Sequence, residues 1–238
     1  MNDIIDNSWQ ASFSAAYNML RTDFKQYLAN NNYLPERNRL FAALQIPRQR
    51  VKFILVGESP YPRAQSANGM AFWDADVGNL WAASGLSTAV NRATSLRNII
   101  KMLLNAAGLI NKPYTQDAIA LLCKKNLIQT IDELFANMLA RGFLLINASM
   151  TWSSNQTKAW HAKHWQPFIN SLLLDIVANN PEVKIILLGK IAAHLNFLPS
   201  QNCLIAEHPY VLSFIENPEI INFFAPLNLL RAKNVKPI

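Results

Sequence analysis

The chain has 238 residues, of which 51% are hydrophobic and 16% charged, enough apolar sequence to bury the core of one large α/β domain. This composition excludes an intrinsically disordered chain, and only 7 glycines and 12 prolines exclude a collagen-like or low-complexity one. The 22 basic and 15 acidic residues give a formal net charge of +7, a moderate excess that is compatible with a phosphate-binding face.

Cysteine content and hydropathy restrict where we expect the protein to be located and which cofactors it could hold. Two cysteines, Cys123 and Cys203, are too few for a disulfide framework or for a four-thiolate iron–sulfur cluster. Both lie in apolar runs, so we expect buried free thiols. No stretch reaches the roughly 18 uninterrupted apolar residues typical of a membrane span, and residues 1–7 lack the pattern of a secretion signal. We therefore predict a cytoplasmic protein that does not bind membranes.

Hydrophobic periodicity predicts strands that alternate with helices. In chain order we expect a helix over 8–28, a strand at 51–56, a helix over 95–104 with Ser95 as its N-cap, a strand at 143–146, a helix over 165–176, a strand at 183–188, a short helix at 191–195, a strand at 203–206 and a helix over 220–232.

Nearly all-apolar strands separated by helices are typical of a parallel sheet that is covered on both faces. We predict a single-domain three-layer α/β/α sandwich over residues 1–238, with a central four-stranded, mostly parallel sheet and an N-terminal helical segment of about 50 residues packed on it. Ligands of such sheets bind beyond the carboxyl ends of the strands. The segments at those ends are 57–61, 147–149, 189–190 and 207–209, which bring a carboxylate, an amide, a lysine and a histidine to one edge.

Three motifs, in chain order, resemble those of the uracil-DNA glycosylase superfamily. GESPYPRAQSANGMAF at 57–72 resembles the family's water-activating loop, which usually reads G-Q-D-P-Y-H and reaches a phenylalanine at the same spacing. LLINASMTW at 144–152 is similar to the segment that carries the base-reading asparagine, and HPYVLS at 208–213 is similar to the H-P-S-P-L-S minor-groove loop. The resemblance implies a monomeric DNA glycosylase of base excision repair, which hydrolyses the N-glycosidic bond of uracil or a related deaminated base without metal or cofactor.

The resemblance also implies how a flipped base is read. Phe72 would stack on the base, and Tyr61 would stand against C5, where a thymine methyl would clash. Asn147 would accept from N3–H and donate to O4 of uracil, a pattern that cytosine cannot satisfy.

The remaining implied roles concern bond breaking and the grip on DNA. His208 would donate to O2, where negative charge develops as the glycosidic bond breaks. Leu212 would be the apolar wedge that fills the gap in the base stack, and Ser95 and Ser213 would hold backbone phosphates.

The chain departs from the common pattern in the loop that handles water. Ser59 stands where the family places an aspartate, Glu58 replaces the neighbouring glutamine, and Pro62 replaces the histidine that closes the motif. We therefore expect Glu58 to orient the water, through Ser59. A glutamate followed by a small residue is similar to another branch of the superfamily, but many members of that branch carry a cysteine-bound iron–sulfur cluster that two cysteines cannot build.

The minor-groove motif also differs, because Tyr210 and Val211 replace serine and proline. Glu207 precedes His208, and its carboxylate could stabilise an imidazolium there.

Structural roles compete with these functional ones. Asn147 could be a turn residue, and Phe72 and Leu212 could be core residues. His161 and His164 lie three apart, a spacing found in metal sites, but no third ligand is evident.

Two other functions remain open. A relative that binds damaged DNA without cutting it is suggested by Ser59. A small-molecule or nucleotide enzyme would need a phosphate cradle, and the chain has neither G-x-G-x-x-G nor a P-loop.

Overall fold

The structure, a computed structural model, describes residues 5–232, and the chain divides into two compact units. Unit 1 comprises the described residues up to Asp74 together with Gly142–Ile205. Unit 2 comprises Ala75–Arg141 together with the described residues from Ala206 onward. Each unit therefore contains two separate stretches of the sequence.

Six strands are present in the described residues: β1 Phe53–Gly57, β2 Trp81–Ala82, β3 Gly85–Leu86, β4 Phe143–Asn147, β5 Lys184–Leu188 and β6 Cys203–Ala206. Four of them form one sheet in the order β4-β1-β5-β6, and β1 pairs in parallel with both β4 and β5. All five residues of β4 are buried, as the apolar run of its first four residues predicts. The predicted mostly parallel four-stranded sheet and the α/β class are confirmed. β2 and β3 form a short antiparallel pair.

The described α-helices are α1 Gln10–Asn18, α2 Thr22–Asn30, α3 Thr88–Arg92, α4 Thr94–Ala106, α5 Gln116–Ala120, α6 Ile131–Ala140, α7 Lys158–Asn179, α8 Ile191–His194 and α9 Pro218–Phe224. The predicted helix over 8–28 is interrupted, because Arg21 is extended between α1 and α2. The helix predicted at 165–176 is the second half of the longer α7.

Two helix boundaries were predicted wrongly. Ser95 is not an N-cap, because α4 begins at Thr94 with Ala93 at the cap position. The C-terminal helix stops at Phe224 instead of continuing to residue 232. Pro226 lacks the N–H that a continued helix needs, and Asn228 then adopts a left-handed conformation with φ of 49°.

The expectation of buried thiols was also wrong. Cys123 is exposed and Cys203 is half-buried. Cys123 follows the short helix α5 and precedes two lysines, so the apolar run around it belongs to no element that is buried along its length. Its neighbour Leu121 is 88% exposed.

The core of unit 1 joins the N-terminal segment to one side of α7. Trp9, Phe24, Trp165 and Phe168 are each at most 1% exposed and belong to one apolar cluster with residues of β1, β4 and β5. The indole of Trp9 donates to the carbonyl of Ile46 at 2.7 Å, which satisfies its polar atom inside this core. The N-terminal segment is thereby packed against the sheet.

A buried histidine links α7 to the chain that follows β4. His161 is fully buried, and its Nδ1 and Nε2 lie 2.9 Å from the hydroxyls of Thr151 and Ser153 respectively. The indole of Trp165 donates to the Thr151 hydroxyl at 2.7 Å. His164 hydrogen-bonds through Nδ1 to the carbonyl of Trp160 at 2.8 Å. Both nitrogens of His161 thus serve hydrogen bonds, and no group of three His, Cys, Asp or Glu side chains within residues 5–232 has the arrangement of a metal site.

Acid is expected to destabilise the fold through His161. Burial, followed by the charge of His164, lowers the pKa of His161 from 6.5 to about 4, so the unfolded chain takes up this proton first as the pH falls. The contribution of the neutral His161 to the free energy of unfolding should fall as the pH drops from 6.5 to about 4, by about 3 kcal/mol, and should level off at lower pH. Urea unfolding of wild type and His161→Gln across this range measures the effect. Equal pH slopes for the two proteins would contradict it.

Candidate active site

The carboxyl ends of β1 and β4 lie side by side in unit 1. Gly57 pairs with Asn147 in register, and the pairing continues past the strands, because the N–H of Ala148 donates to the carbonyl of Gly57 at 2.8 Å and that of Ser149 donates to the carbonyl of Glu58 at 2.9 Å. The loop after β1 and the loop after β4 are therefore held together at their starts.

The side chains at this edge differ in exposure. Asn147 is only 5% exposed, Ser59 is half-buried, and the carboxylate of Glu58 is exposed to solvent. The structure therefore buries the predicted amide and leaves the predicted carboxylate exposed to solvent.

Gly57 leaves room for the amide of Asn147. A Cβ at position 57 would lie 2.4 Å from Oδ1 of Asn147 and 2.9 Å from Cβ of Ala71. Both distances are shorter than real Cβ contacts. Any side chain at this position would displace the amide, so the glycine is required by the position of Asn147.

Phe72 has an unusual backbone conformation. Its φ is 62°, a left-handed value that costs an aromatic residue about 1–3 kcal/mol. The hydroxyl of Tyr61 donates to the carbonyl of Phe72 at 3.3 Å, and the N–H of Ala71 donates to the carbonyl of Leu145 in β4 at 3.1 Å. These bonds tie the strained segment to the sheet, which gives the ring of Phe72 a defined place.

Tyr61 keeps its proton. Burial, followed by the charge of Asp74, raises the pKa of its hydroxyl. A protonated hydroxyl is required for the bond to the Phe72 carbonyl, so burial and the hydrogen bond both favour the protonated form.

An ion pair that the sequence analysis missed closes the loop after β1. Nη2 of Arg63 lies 2.9 Å from Oδ2 of Asp74, whose side chain is 2% exposed. An isolated antiparallel β-bridge also pairs the backbones of Ala67 and Asp74. No motif signals this pair, since the two residues lie eleven apart in an irregular segment.

The predicted histidine lies in unit 2, in the loop after β6. The backbone N–H of Tyr210 donates to Nδ1 of His208 at 3.1 Å. A nitrogen that accepts an N–H carries no proton itself, so this bond favours a neutral imidazole with its proton on Nε2. The buried amide of Asn98 in α4 donates to the carbonyl of Pro209 at 2.7 Å and anchors the loop.

Glu207 has partners of its own in the same unit. Its carboxylate accepts from the amide of Asn217 at 2.8 Å. Burial by itself raises the pKa of Glu207, but hydrogen bonds from its own backbone N–H, Asn217 and the hydroxyl of Ser213 outweigh it, and the pKa is lowered. These bonds hold the carboxylate ionised.

The tip of this loop is apolar and exposed. Tyr210 is 68% exposed, Val211 44% and Leu212 70%, whereas Phe214 is 1% exposed. Leu212 is therefore not a core residue, contrary to the structural alternative. Ser95 lies half-buried in the first turn of α4, three residues before the asparagine that anchors the loop.

Within unit 1 the structure brings together Glu58, Ser59, Tyr61, Phe72 and Asn147, and unit 2 carries Ser95, His208, Leu212 and Ser213. An amide and a carboxylate at the carboxyl ends of parallel strands form a polar ligand site of the kind that α/β enzymes place there. None of the helices described is both long and apolar enough to cross a bilayer.

Comparisons with known proteins identify the family. A crystal structure of UNG from Nitratifractor salsuginis matches with 36% identity and a TM-score of 0.90, covering 97% of this chain and 94% of that one. The uracil-DNA glycosylase of Azobacteroides pseudotrichonymphae genomovar. CFP2 is 24% identical over 224 residues, which are 91% of this chain and 88% of the relative. The chain belongs to the uracil-DNA glycosylase family.

More distant proteins share the fold. The mimivirus uracil-DNA glycosylase structure is 18% identical with a TM-score of 0.59, over 87% of this chain and 70% of that one. No protein-family model matches the chain.

Proposed function

We propose that the protein excises uracil from DNA in base excision repair, as a single-domain monomer in the cytoplasm that uses no metal or cofactor. Water attacks C1′ of the deoxyribose, the N-glycosidic bond breaks, and free uracil and an abasic site result. Membership of the uracil-DNA glycosylase family carries this proposal. The net charge of +7 favours DNA as the partner.

The base is read in unit 1. Asn147 accepts from N3–H and donates to O4 of the flipped uracil, and its burial makes an unmatched base costly. Phe72, held in its strained conformation, stacks on the base. Tyr61 stands against C5 and rejects thymine by its bulk.

Glu58 and His208 carry the chemistry. Glu58 orients the attacking water, with Ser59 as an intermediate hydrogen-bonding group, and takes up a proton as the new C–O bond forms. His208 donates its Nε2–H to O2 of the departing uracil anion, a role that the neutral tautomer favoured by Tyr210 N–H supports.

The grip on DNA involves the exposed loop of unit 2. Leu212 is the apolar wedge, and its 70% exposure supports this role because a leucine so exposed contributes little to folding. Ser213 and Ser95 bind backbone phosphates, Ser213 after leaving Glu207.

Asn147→Asp tests the base-reading role. A carboxylate cannot donate to O4, so uracil release from a labelled single-stranded oligonucleotide is expected to fall by about 10²–10³-fold. Thermal unfolding checks that the variant folds. Uracil release at the wild-type rate would show that the base is read elsewhere.

Gly57→Ala should displace the same base-reading group. The new methyl displaces the Asn147 amide, and a misplacement of about 1 Å costs about 100-fold in kcat/KM. Gly78→Ala is the matched control, because a Cβ there meets nothing within 4 Å. Comparable loss of activity in both variants would contradict the steric argument.

Binding of damaged DNA without excision is the second candidate, and Ser59 favours it, because serine lacks the charge of the family's aspartate. Tight, salt-dependent binding of uracil-containing DNA with no release of free base would establish this alternative. Release of uracil by the wild type would exclude it.

A further inference from the structure

Two side-chain contacts cross the loop after β1 with the same spacing. The hydroxyl of Tyr61 donates to the carbonyl of Phe72 at 3.3 Å, across eleven positions of the sequence. Nη2 of Arg63 donates to Oδ2 of Asp74 at 2.9 Å, also across eleven positions. Each partner in the second contact therefore lies two residues beyond its counterpart in the first, so both contacts join the same two segments of the loop.

Asp74 is bound to both ends of a turn within this loop. The carbonyl of Arg63 accepts the N–H groups of Ser66 and Ala67, at 3.1 and 3.0 Å, so a turn begins at Arg63. Ala67, at the end of that turn, pairs with Asp74 in an antiparallel bridge. The side chain of Arg63 and the backbone of Ala67 thus contact the same aspartate, which ties the turn to the segment that follows Phe72.

The two charged side chains differ in their access to solvent. The side chain of Asp74 is 2% exposed and that of Arg63 is 58% exposed. A carboxylate withdrawn from water depends on the positive charge beside it, and loss of that charge drives it back toward solvent. Without the guanidinium, we therefore expect the backbone of Asp74 to move outward and to carry Phe72, two positions earlier, with it.

Tyr61 and Phe72 are both affected by this ion pair. Burial raises the pKa of the Tyr61 hydroxyl most, the charge of Asp74 raises it further, and the charge of Arg63 lowers it, so both charges act at the phenol. Phe72 has a φ of 62°, and a strained conformation of this kind persists only where neighbouring contacts hold it. The ion pair, two residues beyond Phe72, is such a contact.

We propose that the Arg63–Asp74 ion pair sets the discrimination between uracil and thymine, because it fixes Tyr61 against C5 of the base. In this role neither charged residue touches the base, and both are positioning residues that act through the tyrosine. The inference rests on the proposed function, since a wall at C5 matters only for a base that Asn147 holds. Its own support is the matched spacing of the two contacts and the burial of Asp74.

Arg63→Met tests the ion pair, because methionine keeps an apolar stem and removes the charge. Uracil and thymine release are measured from single-stranded oligonucleotides that differ only in the target base, well below the unfolding temperature of every variant. Thymine release should rise by about 10-fold over wild type, the lower end of what one methyl group contributes to discrimination, while uracil release falls. General damage to the fold would lower both rates. A thymine rate that stays at the wild-type value overturns the proposal.

Three further variants make this test specific. Asp74→Asn breaks the ion pair without leaving a buried charge, so it decides the question if Arg63→Met does not fold, and thymine release should rise in it too. Arg63→Lys keeps a charged donor for Oδ2 and should keep the wild-type ratio of uracil to thymine release within about 3-fold. Arg48→Met is the matched control, since it removes a 2.7 Å contact with Asp175 elsewhere in unit 1. Faster thymine release in this control would contradict the proposal.

A double-mutant cycle tests whether the ion pair acts through the tyrosine. Tyr61→Ala removes the wall at C5 and should itself raise thymine release. If the ion pair only positions Tyr61, adding Arg63→Met to Tyr61→Ala should change the ratio of uracil to thymine release by less than about 3-fold. Effects of the two substitutions that simply multiply would show that they act independently, which contradicts the positioning role.

Binding measurements separate this inference from the proposed function. The oligonucleotides carry a 2′-fluorinated deoxyuridine or its 5-methyl counterpart, whose fluorine opposes charge at C1′ and prevents cleavage, so fluorescence anisotropy reads binding alone. A preference for the uracil oligonucleotide that is smaller in Arg63→Met than in wild type, with no excision by any variant, refutes the proposed excision alone. Excision of uracil with the same preference in wild type, Arg63→Met and Asp74→Asn refutes this inference alone.

Discussion

Replacing Glu58 with glutamine is expected to lower kcat for uracil release by about 10²–10⁴-fold, the usual contribution of a general base. Glutamine keeps the size and the hydrogen-bonding reach of the side chain but cannot accept a proton from water. Because Glu58 is exposed and at the end of β1, the substitution should leave the fold intact. Single-turnover release of uracil at saturating enzyme measures the chemical step directly.

Ser59→Asp is the companion experiment, because it restores the carboxylate of the common family pattern. If Glu58 handles the water, Glu58→Gln/Ser59→Asp should recover part of the rate that Glu58→Gln loses. An inactive wild type that gains activity with Ser59→Asp would instead identify a chain that has lost excision. Wild-type rates in Glu58→Gln would place the base elsewhere.

The sheet was predictable because its strands are short apolar runs with clear ends. β6 was predicted at its observed bounds, and the other three strands of the sheet within two residues. The carboxyl ends of parallel strands share an edge, so placing Glu58 and Asn147 together needed only strand order. That these two residues lie close together could thus be predicted from the sequence, although their roles stay predictions.

α3 and α5 in unit 2 were not predicted, since each has only five residues. α6 was missed although Thr130 and Glu133 form a capping box, a signal that is present in the sequence. The short antiparallel pair β2–β3 has only two residues in each strand, too few for an alternating hydrophobic pattern to be recognised.

Contacts between residues that lie far apart in the sequence could not be predicted from it. The Arg63–Asp74 pair and the fit of Gly57 against Asn147 depend on three-dimensional packing. A glycine commonly ends a strand, so the sequence gives no sign of a further role for it. Only the structure shows what its missing Cβ accommodates. For the same reason, Leu212 could not be distinguished from a core leucine before its exposure was known.

His208→Leu should lower kcat by about 10²–10³-fold, the typical cost of removing one donor to a developing anion. Nδ1 already accepts the N–H of Tyr210, so the imidazole is preorganised with its donor on Nε2 and no proton has to move before the bond breaks. The effect belongs to the transition state, so the Kd for uncleavable uracil DNA should change less than about 3-fold. Partial rescue by His208→Gln, which keeps an N–H donor, would support donation as the role.

Glu207→Gln separates a neutral from a charged imidazole at His208. If the carboxylate stabilised an imidazolium, its neutralisation would cost nearly as much as loss of the histidine itself. The carboxylate accepts instead from Asn217 and Ser213, and a neutral donor needs no counter-ion, so kcat is expected to fall less than about 3-fold. A loss that equals that of His208→Leu would show that catalysis uses the imidazolium and that the hydrogen bond from Tyr210 breaks before the reaction.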